Sequence, residues 1–332
     1  MYLTNGDRRI FYDIAGTHSG WRAGTLVERP VILTMHGGLG FSSVYLRPWL
    51  SRLAEGYCVV YVDLPGSGWS SRHPGSDYSM QQLVADLERV RNALGIEQVT
   101  LLGHAWGAIL ATEYALSYPE AVAAQVMVNP LRILSAKGQD AEAQERMIAA
   151  TDPHVAEDHM NDLDPKIQRA LAGETALWAE IDADPSWARL LRTQFASPPP
   201  PTWDIVTDNL RLGMEAYFAH KGNAMQNPEH PLARYDLAER AAGLQSPLLI
   251  VAGESDANYV AMPSTHAQPI HAAVSGSELV TIEGAGHFLF AQDPGGFARI
   301  VTRFLSNQGL LPAESDRALL KRAARQENRD AR

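Results

Sequence analysis

The sequence predicts an α/β architecture: a mostly parallel sheet with helices on both faces and an inserted helical cap. Three observations carry this. Strand-like and helix-like segments alternate from the N-terminus to Pro130, the order that joins parallel strands through crossover helices. The strand segments are runs of consecutive apolar residues, so both of their faces need cover. The alternation stops after Pro130 and resumes at Pro247, which leaves the intervening chain outside the sheet.

Taken in order, Arg9 to Ala15 reads as a strand. Pro30 to Met35 is a short apolar run that feeds the glycine loop His36-Gly37-Gly38-Leu39-Gly40, so it reads as a buried strand. Tyr57 to Asp63 is another, stopped by Leu64-Pro-Gly-Ser-Gly68. From Ser79 to Leu94 the apolar positions Leu83, Val84, Leu87, Val90 and Leu94 follow helical spacing, with Ser79 placed to cap the first turn. A strand over Gln98 to Leu102, a helix over Ala105 to Ser117 and a strand over Ala121 to Val128 complete the first half. The second half resumes with a strand at Pro247 to Ala252 and a helix near His266 to Val274. A strand at Glu278 to Ile282 and a helix at Gly296 to Leu305 follow.

Between 133 and 242 no strand–helix period appears. The segment is rich in helix formers and holds Trp178, Trp187, Trp203 and the run Ser197-Pro-Pro-Pro-Pro201. It reads as a helical cap after the sixth strand, with the proline run as a stiff connector. The expected organisation is a core of 1–132 and 243–310, a cap of 133–242, and a charged C-terminal tail over 311–332.

Composition narrows the function classes. The chain has 332 residues, 45% of them apolar and 20% charged, ample for a folded core and unlike a disordered chain. No stretch approaches the roughly 18–20 apolar residues of a membrane span. Lys and Arg number 28 against 38 Asp and Glu, a formal charge of −10. Nucleic acid, which calls for a basic footprint, is not an expected partner, and neither is a membrane. Cys58 is the only cysteine, so no internal disulfide and no paired-cysteine metal site can form. The first residues lack the apolar core of a secretory signal, so the expected location is cytoplasmic.

The chemistry is concentrated at four loops. Gly103-His104-Ala105-Trp106-Gly107 has the glycine spacing of a nucleophile elbow, G-x-S-x-G, with alanine where serine would stand. In the glycine loop, Gly37 or Gly38 can aim a backbone N–H at a developing oxyanion, and the N–H of Trp106 is the second donor. Gly253-Glu-Ser-Asp256 puts an acid after one late strand, and Gly284-Ala-Gly-His287 puts a histidine after the next. In that order Asp256 would fix the imidazole of His287, and His287 would move the proton. Asp63 reads as a turn acceptor or a site-shaping acid, and Cys58 as core packing. His104 reads as a ligand contact or a hydrogen-bonded structural group. Trp178, Trp187 and Trp203 either wall an apolar pocket or pack the cap.

With these motifs the chain resembles the α/β-hydrolase superfamily across nearly its whole length, and within it the proline iminopeptidase group. His36-Gly37-Gly38-Leu39-Gly40 resembles that group's HGGPG, and Gly103-His104-Ala105-Trp106-Gly107 its GGSWG. Met214-Glu-Ala-Tyr-Phe-Ala-His-Lys-Gly222 resembles its ENHYF segment. The resemblance implies hydrolysis of an N-terminal aminoacyl amide, or of a related amide or ester, with no metal and no organic cofactor. It implies that Glu215 takes the substrate's free α-amino group, with Tyr217, Trp178, Gly37 and His104 beside the substrate. The partner is then a small molecule or short peptide. Asp63-Leu-Pro-Gly-Ser-Gly68 departs from the group's DQRGxG, and a second amine-binding acid is matched only loosely, by Glu180.

Alanine has no nucleophile, and three accounts of Ala105 stay open. It replaces a natural serine by engineering, which traps a substrate or product. It is native to a ligand-binding pseudoenzyme. Or it is native to a lyase, cyclase or isomerase that needs only His287 as base and an oxyanion hole.

Overall fold

The computed structural model describes residues 1–38, 40–72, 77–132, 164–185, 187, 191, 199–217, 235–256 and 266–314. Leu39, most of the 133–242 segment and the tail from 315 onward lie outside the described residues.

Ten strands form in chain order: β1 (Tyr2–Asn5), β2 (Arg8–Ala15), β3 (Ser19–Arg22), β4 (Thr25–Glu28), β5 (Val31–Met35), β6 (Cys58–Asp63), β7 (Val99–His104), β8 (Val122–Val128), β9 (Leu248–Gly253) and β10 (Glu278–Ile282). Eight of them make one sheet in the order β1-β2-β6-β5-β7-β8-β9-β10. From β6 to β10 every neighbouring pair is parallel, and β1 and β2 add an antiparallel edge. The expected parallel α/β sheet is therefore present. The edge strand β1 and the β3–β4 hairpin were not expected.

The two faces of the sheet separate cleanly. Val31, Leu33, Met35, Cys58, Val60 and Val62 point to one side, where they pack with the helices Met80–Ala93, Gly107–Ser117 and Ala267–Ala273. Ile32, Val59, Tyr61, Val126 and Val251 point to the other, against Arg47–Leu50 and Pro294–Asn307. Strand residues alternate sides, so a run of apolar residues supplies two cores at once. Cys58 sits in the first of these cores.

Helix ends follow their local chemistry. Ser79 caps Met80–Ala93 by accepting the N–H of Gln82 at 3.3 Å. Asp293 caps Pro294–Asn307 through the N–H of Gly296 at 2.8 Å, with Pro294 at the first helical position. The helix expected from Ala105 begins instead at Gly107, because Ala105 has a left-handed backbone that cannot enter a right-handed helix.

Between β8 and β9 the described residues include short helices at Asp164–Leu171, Leu177–Asp182, Trp203–Asp208, Met214–Tyr217 and Leu237–Ala241. Ile167, Ala170, Trp178, Ile181, Leu212 and Met214 form a small apolar cluster of their own. Trp203, fully buried, packs on Phe288 with ring centroids 4.7 Å apart.

Candidate active site

Parallel strands deliver their C-terminal ends to one rim, and the candidate residues sit there in spatial order. Asp63 ends β6, His36 follows β5, His104 ends β7, Asn129 follows β8, Asp256 follows β9 and His287 follows β10. The acid and the histidine come from adjacent strands, and the elbow from two strands away.

The elbow is held by close backbone approaches. A Cβ on Gly103 would come within 2.5 Å of the Gly107 carbonyl oxygen, and one on Gly107 within 2.3 Å of the Met35 carbonyl oxygen. Both positions therefore require glycine. Between them Ala105 takes φ +52°, and its N–H bonds Val128 O at 2.9 Å. A left-handed alanine costs about 1–2 kcal/mol, a strain of the kind found where a side chain must be presented to a site. The helix Gly107–Ser117 starts just beyond, so its positive dipole end abuts position 105.

His287 and Asp256 meet directly, Nδ1 to Oδ2 at 2.7 Å, and both are buried. Their loops are joined by Glu254 N–H to Ile282 O at 3.0 Å and Ser255 N–H to Ala285 O at 2.9 Å. A Cβ on Gly253 would strike the carbonyls of Ala285 and Gly286, which keeps this seam tight. Asn129 spans it. Its side-chain oxygen accepts Gly253 N–H at 2.7 Å, and its amide donates to His287 O at 2.8 Å and to Gly286 O at 3.1 Å.

The glycine loop lies beside the elbow, since a Cβ on Gly37 would be 3.2 Å from Ala105 Cβ. The backbone groups of Gly37 are already engaged: its N–H bonds the Tyr45 hydroxyl and its carbonyl faces His36 Nδ1 at 3.1 Å. Gly38, at φ +41°, has an N–H that no described residue engages. His104 is likewise engaged, at both of its ring nitrogens. It is buried, with Nδ1 2.8 Å from the Tyr45 hydroxyl and Nε2 3.0 Å from His287 O. Burial, reinforced by the nearby His287, holds its pKa well below the ordinary imidazole value. Asp63 takes the structural role, accepting Ser43 N–H at 2.7 Å and Trp69 N–H at 3.0 Å.

Glu215 lies on the Met214–Tyr217 helix and is half-buried. Burial raises its pKa, opposed by the Arg72 guanidinium. Glu180 does not share its surroundings: it is exposed and sits 3.6 Å from Lys166. The acid near Glu215 is Asp182, two residues further on. One Asp182 oxygen accepts Met214 N–H at 2.8 Å and the other pairs with Arg72 at 2.8 Å. Burial pushes the Asp182 pKa up to about 6, against the pull of the Met214 N–H and Arg72, with Glu215 adding to the rise. Trp178 is buried in an apolar cluster with Leu212 and Met214, the residue before Glu215. The side chain of Tyr217 lies outside the described residues. An open cleft of about 820 Å³, lined in part by Trp69, Arg72, Asp182, Arg211 and Leu212, does not reach the dyad.

Two residues of the site carried no motif. Asn129 had a weak signal, a polar residue closing an apolar strand next to Pro130. Tyr45, in a short turn after the glycine loop, had none. Among the described residues no group of three or more His, Cys, Asp or Glu is placed to hold a metal, and no helix is long and apolar enough to cross a membrane.

Comparison with known proteins fits this geometry. The alpha/beta hydrolase fold family model matches residues 30–294. The chain is 28% identical to "Putative carbamate hydrolase RutD" of Escherichia coli O9:H4 (strain HS), over 84% of this chain and 92% of that one. It is 30% identical to an uncharacterised protein of Mycobacterium tuberculosis (strain ATCC 25618 / H37Rv), over 88% and 79%. The fold is shared with the crystal structure of proline iminopeptidase from Mycobacterium smegmatis, at TM-score 0.67 and 20% identity, covering 93% of this chain and 98% of that one.

Proposed function

The chain belongs to the α/β-hydrolase fold family, and from that premise we propose that its site is built to hydrolyse an acyl bond in a small amide, ester or carbamate, with position 105 as the nucleophile position. The observation that carries the reading is the buried Asp256–His287 pair on the same rim as a strained elbow. RutD, a relative named for carbamates, adds that bond to the amides and esters suggested by the sequence.

With serine at 105, the hydroxyl would attack the substrate carbonyl while His287 takes its proton. The N–H groups of Gly38 and Trp106 would hold the oxyanion, and His287 would return the proton to the leaving group. Water would then release the acyl group by the same route. Asp256 keeps the His287 proton on Nδ1, which leaves Nε2 free to act as base. Alanine stops this sequence at the first step, because a methyl group cannot attack. The chain as it stands holds the substrate and the oxyanion cradle without forming an acyl-enzyme. The 133–242 segment would roof the site as a cap on a core of 1–132 and 243–310.

Glu215 would receive a free amine on the substrate. Asp182 and Glu215 both lie near the one Arg72 guanidinium, and burial raises the pKa of each against its pull, with Glu215 adding to the rise at Asp182. A substrate ammonium beside them would favour their charged forms and so bind there.

The test compares the chain as given with Ala105→Ser on panels of aminoacyl p-nitroanilides, p-nitrophenyl esters and p-nitrophenyl carbamates. The serine form should gain on the order of 10⁶-fold in kcat, the cost of a missing triad serine. A second reading rests on the intact dyad: His287 acts as base in an elimination, cyclisation or isomerisation. Under it His287→Ala abolishes turnover of some other substrate and Ala105→Ser adds nothing, which would overturn the hydrolase reading.

A further inference from the structure

We propose that His104 is a positioning residue that joins the oxyanion loop to the His287 loop, and that Tyr45 fixes the one tautomer in which it can do so. The inference deepens the acyl-transfer reading and rests on it only for the role of His287.

A single line of hydrogen bonds crosses the site. Gly37 N–H donates to the Tyr45 hydroxyl, and that hydroxyl lies 2.8 Å from His104 Nδ1. The other ring nitrogen, Nε2, faces the His287 carbonyl, which can only accept, so in the neutral ring Nδ1 is the acceptor and takes the Tyr45 hydroxyl proton. Burial raises the Tyr45 pKa and lowers that of His104, so the phenol keeps its proton and the imidazole stays neutral. With Nδ1 accepting, the ring proton must sit on Nε2, where it donates to the His287 carbonyl at 3.0 Å. That carbonyl also accepts from Asn129 at 2.8 Å. Two donors from two strands therefore fix the His287 backbone. The same Tyr45 hydroxyl occupies Gly37 N–H and so leaves the oxyanion role to the next peptide, at Gly38.

The opposite tautomer would turn an Nε2 lone pair toward the His287 carbonyl oxygen. Lone pair against lone pair is repulsive, and the His287 loop would have to retreat. The packing gives the ring no alternative seat: its centroid lies 4.6 Å from that of His287, 5.1 Å from Phe290 and 5.6 Å from Tyr45.

Two measurements decide the matter. Imidazole ¹⁵N spectra of the chain as given should show His104 protonated on Nε2 alone from about pH 8 to about pH 5, the range in which an ordinary imidazole titrates. Tyr45→Phe, nearly isosteric, should let the proton divide between the two nitrogens. In the Ala105→Ser enzyme, Tyr45→Phe and His104→Phe should lower kcat about 10- to 100-fold with KM held within about twofold, the signature of a displaced reacting group. His104→Gln, whose amide can still donate to the His287 carbonyl, should restore most of that loss. A parent His104 protonated on Nδ1, or a folded Tyr45→Phe with unchanged tautomer and kcat, overturns the proposal. So does His104→Phe as active as His104→Gln. If Ala105→Ser has no acyl activity the hydrolase reading fails, and the spectra alone then decide the His104 joint.

Discussion

Ala105 occupies a conformation that an alanine adopts only under constraint. The constraint comes from the flanking strand and helix, which leave no other path for the chain. Ala105→Gly should relieve about 1–2 kcal/mol of left-handed strain and return roughly 0.5–1 kcal/mol through the greater freedom of glycine in the unfolded chain. We expect a net gain of roughly 0.5–1 kcal/mol in urea unfolding; a loss of similar size would show that the alanine methyl packs usefully and is not strained. Glu215 makes a separate prediction. A charged hydrogen bond to a substrate ammonium is worth about 1.5–3 kcal/mol, so Glu215→Gln should weaken binding of an aminoacyl amide roughly 10- to 100-fold. Calorimetry on the N-acetylated amide should show no comparable change, and equal loss on both compounds would remove Glu215 from amine recognition.

The Leu177–Asp182 and Met214–Tyr217 helices meet through Asp182, which bonds Met214 N–H and pairs with Arg72 of the core loop. An acid raised from 3.8 to about 6 in the folded state keeps a proton that the unfolded chain gives up. Its share of stability therefore grows as pH falls through about 6 toward 4. Asp182→Asn keeps the acceptor for Met214 and removes the titration. Wild type should gain on this variant by at most about 1.4 kcal/mol per pH unit in that window, and superimposed pH profiles of urea midpoints would refute the assignment. Legibility in the sequence differed between elements for physical reasons. Strands β5, β6, β7 and β9 are fully buried runs and show themselves by apolarity alone. The β3–β4 hairpin is a two-stranded ribbon with Trp21 and Leu26 exposed, so it leaves no buried face to read. The elbow, acid and histidine were visible because glycine spacing and chain order do not depend on which residue stands at 105. Tyr45 was not, since its role depends on a hydroxyl meeting residues far along the chain.

At the scale of the molecule, three buried histidines set the response to acid. His36 accepts Leu64 N–H at 3.2 Å, His104 accepts the Tyr45 hydroxyl proton, and His266 accepts Arg132 N–H at 2.9 Å. Each of these nitrogens is an acceptor only while the ring is neutral. Burial lowers all three pKa values from 6.5, that of His266 to about 4, with Asp63 partly offsetting the effect at His36. The unfolded chain thus takes up protons near pH 6.5 that the folded chain refuses, so stability is full above that value and falls as pH drops through it. Asp182 and Glu215 act in the opposite sense, because their raised values make the folded state bind protons more readily. The histidine loss sets in near 6.5, where the unfolded rings titrate, and the Asp182 gain sets in only as pH falls through about 6, so the histidines prevail first and Asp182 then offsets up to one proton of their loss. The expected result is a fall in the urea midpoint from about pH 7 to about pH 5, with a slope approaching more than one proton, or upwards of about 1.4 kcal/mol per pH unit. His104→Gln should flatten that slope by up to one proton. A midpoint that holds steady or rises over the same interval would mean that the carboxylates outweigh the histidines, and that the hydrogen-bond line through His104 tolerates a charged ring.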